Sequence, residues 1–337
     1  EPTMNGVDCH GLHASVMPEL HGIHLLVNLG VHECYVQGRG ATTYKNIVRK
    51  NPKLAALLKR SFVEILDGSE VLESPLLLVN RWHSNYYHFL LETLPALLDF
   101  VSGSNGFRRG QVLVVDRLNF GMESVLSRLS FAGELRQNVG TSLLMNNPCC
   151  IRPLDLGCLE DDGLKNHLSS VALLLQSFFD VDARRTVVNE LPRRFFIERR
   201  SLHQGSQRVF WPQQAFHRTL LAKGYSILYL EDFTLEGQIQ LFAQAEKVIA
   251  MHGAALANVL FCSQQCEVIE FIHERLPRPT HFQKIANAVG LNRFNVVPLK
   301  GALESIDEEQ EFFRLHQVAP NDLRLPLRFS EEVLEYL

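Results

Sequence analysis

The chain lacks several signatures, and each absence removes a class of protein. It has no Asn-x-Ser/Thr sequon, no Cys-x2-Cys pair, no Gly-x-Gly-x-x-Gly ahead of a helix and no Gly-Lys-Ser/Thr. A zinc knuckle, a dinucleotide oxidoreductase and a Walker-type NTPase therefore have no local support. No apolar run approaches the ~20 residues that a bilayer-spanning helix needs. An excess of either charge is missing too: 33 Lys and Arg stand against 37 Asp and Glu, for a net charge of −4. That excludes the global basic field of a nucleic-acid binder. The seven cysteines (Cys9, Cys34, Cys149, Cys150, Cys158, Cys262, Cys266) are odd in number and irregular in spacing. They read as reduced, mostly buried thiols, and with the missing sequon they point to the cytoplasm. A Golgi or ER lumen is the alternative if an anchor has been trimmed before Glu1.

What is present is an ordinary globular composition, 46% hydrophobic and 21% charged over 337 residues, a length that suits two domains. The clearer half is C-terminal. Strands are expected at Arg194–Glu198, 225–230, 248–251, 267–272 and 294–299. Helices are expected at 212–222, 234–245, Ala254–Phe261 and 281–289. Strands of about five residues alternating with helices of about ten predict a doubly wound parallel α/β sheet. The N-terminal half is less regular, with strands at 25–29, 34–36, 76–79 and 112–115 and a helix over 84–99 that Pro95 should interrupt. The expected division is 1–185, an N-terminal α/β domain; 186–300, a nucleotide-binding α/β domain; and 301–337, an acidic helical tail.

The central motif is His252-Gly253-Ala254-Ala255-Leu256-Ala257-Asn258, between a strand and a helix. A glycine there lets the backbone turn and approach a ligand. The first amides of the helix, backed by its dipole, can take a diphosphate. His252 falls at the carboxyl end of its strand, where open α/β sheets bind ligands, and Asn258 falls on the same helical side as Ala254. Arg199, Arg200 and Arg208 follow the first strand of that domain, and arginine grips phosphate bidentately. Glu270 ends the next strand and is read as a ribose acceptor or a solvent-facing carboxylate, and Glu231 raises the same question. Gln238 reads as a surface amide.

In the N-terminal half, Asn85, His88 and Glu92 share one helical face, and His88–Glu92 is an i,i+4 pair. A carboxylate beside an imidazole can fix its tautomer and suit a general base for a sugar hydroxyl, the alternative being a local capping and ion-pair arrangement. Trp82 and His83 could line the same cleft. Metal binding has little behind it. His10, His13, His21, His24 and His32 have no carboxylate or cysteine spacing, and Asp180-Val-Asp182 reads as surface acid and not as a metal–diphosphate signature.

Four blocks between 80 and 299 resemble glycosyltransferase family 61. They are Asn85-Tyr-Tyr-His88 with Glu92 and Pro95; Phe196-Ile-Glu-Arg199-Arg200 with Arg208; Gln238 with Leu241-Phe242-Ala243; and His252-Gly-Ala-Ala-Leu-Ala-Asn258 followed by Val268-Ile-Glu270. Ala255 stands where many members have a second glycine, and no asparagine closely follows Arg208. The resemblance implies a GT-B-like fold, two Rossmann-like domains facing a cleft. It implies inverting transfer from a nucleotide sugar, often UDP-linked, to a glycan or polysaccharide acceptor. Arg199, Arg208, His252, Gly253, Ala254, Asn258 and Glu270 would hold the donor, Asn85 would lie on the acceptor side, and His88 with Glu92 would supply the base. No cofactor is needed and no divalent metal is expected. The alternative is a catalytically degenerate scaffold of the same fold that binds glycan or nucleotide. The sugar, the linkage and the oligomeric state are not readable from the residues.

Overall fold

The computed structural model describes residues 15–17, 23–28, 34–38, 71–78, 85–102, 107, 109–115, 121–137, 142–146, 149–152, 154, 156, 159–180, 191–199, 210–274, 281–302 and 327–337. The chain forms two compact units, Glu1–Glu160 and Asp161–Leu337. Arg200, Arg208, Trp82, His83, Asp182 and His10, His13, His21 and His32 lie outside the described residues.

The first unit holds two sheets. One has the order β1 (Ser15–Met17), β9 (Cys149–Arg152), β5 (Leu76–Leu78), β6 (Val112–Val115), β7 (Glu134–Gln137), parallel throughout except at β1. The other, β3 (Cys34–Gly38), β2 (Ile23–Asn28), β8 (Ser142–Asn146), β4 (Val71–Glu73), is mainly antiparallel. From β5 the chain steps through β6 to β7 on one side, while β9 returns to the other side of β5.

After β5 comes a helix that runs from Tyr86 to Ser102 without a break in the chain's path, in three segments: Tyr86–His88, a π-helical Phe89–Thr93, and Leu94–Ser102. The expected interruption at Pro95 takes this form. Proline brings no amide and crowds the carbonyl of residue 91. One wide turn, closed by Leu94 N donating to Phe89 O, takes up the misfit.

The second unit is built on one parallel sheet in the order β12 (Ser226–Tyr229), β10 (Arg194–Glu198), β13 (Lys247–Met251), β14 (Glu267–His273), β15 (Arg293–Leu299). All five strands fall where hydrophobic runs predicted them. Helices Gln213–Ala222, Leu235–Ala243 and His281–Ala288 connect them. Thr234 caps the second, its hydroxyl accepting from Gly237 N at 3.1 Å. Gly224 ends the first at φ 78°, a left-handed position where Tyr225 N can reach back to Leu220 O at 3.0 Å. The segment Ala254–Phe261 is a 3-10 helix.

By its contacts, helix Asp161–Phe178 belongs to this second unit. Ser169 Oγ donates to Ala288 O at 2.8 Å, and Lys284 meets Asp161 at 2.6 Å. Residues 327–337 also join the core of this unit. β16 (Leu327–Arg328) pairs in parallel with β11 (Phe210–Trp211). Leu327 and Val333 are buried in one cluster with Phe196, Phe210, Phe216 and Phe271. Among the described residues no helix is long and apolar enough to cross a membrane.

Candidate functional site

Each unit carries a polar cluster at the carboxyl edge of its parallel strands. In the second unit the chain runs from β10 to β12 on one side and continues from β13 on the other. The strand order therefore reverses between β10 and β13, the place where such sheets leave a crevice for ligands. Ile197 pairs with Ala250, and Arg199 and His252 lie each two residues further along their strands. The sheet thus brings to one edge two residues that are far apart in sequence. Arg199 is half-buried, and burial lowers its guanidinium pKa while the Glu231 carboxylate opposes that shift.

His252 is held on two sides. Its amide donates to Phe271 O at 2.8 Å, and its Nδ1 lies 2.5 Å from Glu270 Oε1. The rings of His281 and Phe282 lie 5.6 and 5.3 Å away. Glu270 is fully buried and does not face solvent, and its Oε1 meets His252. With a carboxylate at Nδ1, the neutral ring carries its proton there and leaves Nε2 as its second polar atom.

The loop between β13 and the 3-10 helix departs from expectation at Gly253. Gly253 is buried at φ 167°, an extended conformation open to any residue, so no sharp left-handed turn is made. The amides of Ala254 and Ala255 precede the first intrahelical bond, Leu256 N to Gly253 O at 2.9 Å, and both residues are half-buried. Asn258 is fully buried. Its Nδ2 donates to Gln238 Oε1 at 3.1 Å and to Ala255 O at 3.2 Å. Gln238, expected at the surface, is buried and donates to Leu230 O at 3.0 Å. The two amides brace the 3-10 helix against helix Leu235–Ala243. Asn258→Ala leaves Gln238 Oε1 without this donor and is expected to cost about 1–3 kcal/mol by chemical denaturation.

In the first unit, Asn85 is the helix N-cap, its side chain accepting from Tyr87 N at 3.0 Å. His88 Nδ1 lies 2.9 Å from Glu92 Oε2, with the imidazole 22% and the carboxylate 7% exposed. The other oxygen of Glu92 accepts from Leu156 N at 3.4 Å. Leu156 follows β9 and the helix follows β5, so the pair sits where the strand order of this sheet reverses. Burial and the nearby Glu92 both push the Tyr87 hydroxyl pKa up.

A third pair of this kind went unrecognised in the sequence. Glu198, 2% exposed, lies 2.6 Å from Nε2 of His217, 24% exposed. The available signal was a glutamate closing an otherwise apolar strand, but nothing local joins it to a histidine 19 residues on. Asp180 is an exposed residue just past helix Asp161–Phe178, at φ 50°. His24 lies in β2. Cys149, Cys262 and Cys266 are free thiols, with the Cys262 pKa raised by its contact with Cys266 and by burial.

Together these features define an open α/β protein with polar clusters at the carboxyl edge of its parallel strands. The family is glycosyltransferase 61: its family model matches residues 86–269, more than half of the chain, and the chain belongs to that family. It is accordingly a glycosyltransferase, with a donor and an acceptor as substrates. The match runs from the first residue of the helix that carries His88 to the residue before Glu270. No curated protein matches the chain.

Proposed function

We propose that the chain is an inverting glycosyltransferase that uses a nucleotide sugar, UDP-linked, and transfers the sugar to a glycan or polysaccharide hydroxyl. The observation that carries this reading is the placement of Arg199, His252 and the leading amides of the 3-10 helix at one strand-order reversal. This is the set of donors a diphosphate needs. The second unit binds the donor and the first the acceptor.

In the reaction the acceptor oxygen attacks the anomeric carbon while the bond to the diphosphate oxygen breaks with its electron pair. His88, oriented by Glu92, takes the hydroxyl proton. Arg199, His252 and the Ala254 amide stabilise the charge growing on the leaving UDP, an effect worth about 2.7–4 kcal/mol of barrier per donor in comparable sites.

Arg199→Ala and His252→Ala are each expected to weaken UDP binding by about ten- to a hundredfold, the value of a hydrogen bond to a charged group. Calorimetric titration with UDP checks this, and unchanged affinity in both variants would reject the donor site. Because side chains and amides carry the leaving-group charge, transfer is expected to persist in excess EDTA. Complete loss, restored by added metal, would return Asp180 and Asp182 to consideration.

A further inference from the structure

Glu198 closes β10, whose preceding residues Phe195, Phe196 and Ile197 are buried and apolar. Packing alone would favour another apolar residue at this position. A carboxylate with 2% exposure survives there because both oxygens are held. Oε1 accepts from the amide of Arg199 at 3.2 Å. Oε2 accepts from Gln213 Nε2 at 3.4 Å and lies 2.6 Å from His217 Nε2. Gln213 and His217 lie on successive turns of helix Gln213–Ala222, so one buried side chain ties the strand end to that helix. The residue whose backbone it holds is Arg199, at the reversal of strand order.

We propose that Glu198 is a positioning residue of the donor site. It clamps the backbone of Arg199 from inside the sheet, with its second oxygen braced by His217 and Gln213, so that the guanidinium meets the diphosphate in one orientation. Bidentate recognition needs this, because a planar fork contributes its geometry only when its base is fixed. The inference rests on the assignment of Arg199 to the diphosphate.

The test uses UDP as the probe and the full chain, with affinity from calorimetric titration and melting temperature read alongside. Glu198→Ala is expected to weaken UDP binding at least tenfold. Glu198→Gln, whose amide oxygen still accepts from Arg199 N, should stay within threefold of the parent. In a double-variant cycle, adding Glu198→Ala to Arg199→Lys should cost less than a further threefold, because one anchor cannot be lost twice. Should Glu198→Ala fail to fold, Glu198→Asp replaces it: its shorter side chain cannot reach Arg199 N and His217 together, and the same tenfold loss is expected. A lowered melting temperature with UDP affinity within threefold of the parent assigns Glu198 a purely structural role and overturns the proposal, as do independent, multiplying effects in the cycle. If Arg199→Ala and Arg199→Lys both bind UDP like the parent, the donor-site assignment itself fails. If they weaken binding and the Glu198 variants do not, only the positioning role fails.

Discussion

His88→Ala is expected to lower kcat for sugar transfer by about a hundred- to ten-thousandfold, the contribution of a positioned general base, with UDP affinity within twofold of the parent. The expectation follows from how the pair is built. His88 stands on the first turn of its helix with its Nδ1 facing Glu92, and Glu92 is itself pinned by the Leu156 amide. The Leu156 amide limits how far the carboxylate can turn, and in the proposed reaction the part-exposed imidazole takes the acceptor's proton. Initial rates of UDP release with saturating donor measure the effect. A loss below tenfold would remove His88 from the role of base. Glu92→Gln keeps the contact but not the charge, and should fall between His88→Ala and the parent.

Deleting 327–337 is expected to abolish the cooperative thermal transition of the second unit. The segment adds β16 to β11 and buries Leu327 and Val333 among Phe196, Phe210, Phe216 and Phe271. Phe329 lies edge-on to Phe216 at 5.2 Å, and Tyr336 to Phe271 at 6.0 Å. Tyr225 Oη also donates to Leu337 O at 2.8 Å. Returning Leu327 and Val333 alone to water would cost roughly 3–6 kcal/mol, against the 5–15 kcal/mol that typically separates folded from unfolded domains. Scanning calorimetry checks it, and an unshifted transition in the shortened chain would show that the core closes without the segment. Val333→Asp is the milder version and should lower the melting temperature of the full chain.

The elements of the second unit could be read closely because each strand is a short apolar run bounded by glycine or polar residues. The five strands agree with the sequence reading to within a residue or so, as Arg194–Glu198 and Glu267–His273 show. The pitch of a helix was less legible. Ala254–Phe261 folds as a 3-10 helix and Phe89–Thr93 as a π turn, because crowding and missing donors choose among pitches that share similar periodicity. Gln238 was misplaced for another reason. It lies on the same side as Leu235 and Phe242, yet a buried amide is tolerable only when a partner meets it, and that partner is Asn258, 20 residues away.

From the amino-acid order alone came the α/β class, the strands that meet at the edge carrying Arg199 and His252, and the likeness to family 61. All three depend on local periodicity and short motifs that need no knowledge of distant neighbours. Only the tertiary structure decided that Glu270 stands behind His252 and Glu198 behind His217, that Asn258 is braced on Gln238, and that β16 returns to the core. These depend on register. Side chains from separate strands and helices meet only once backbone pairing has set their spacing, and no stretch of sequence contains that spacing.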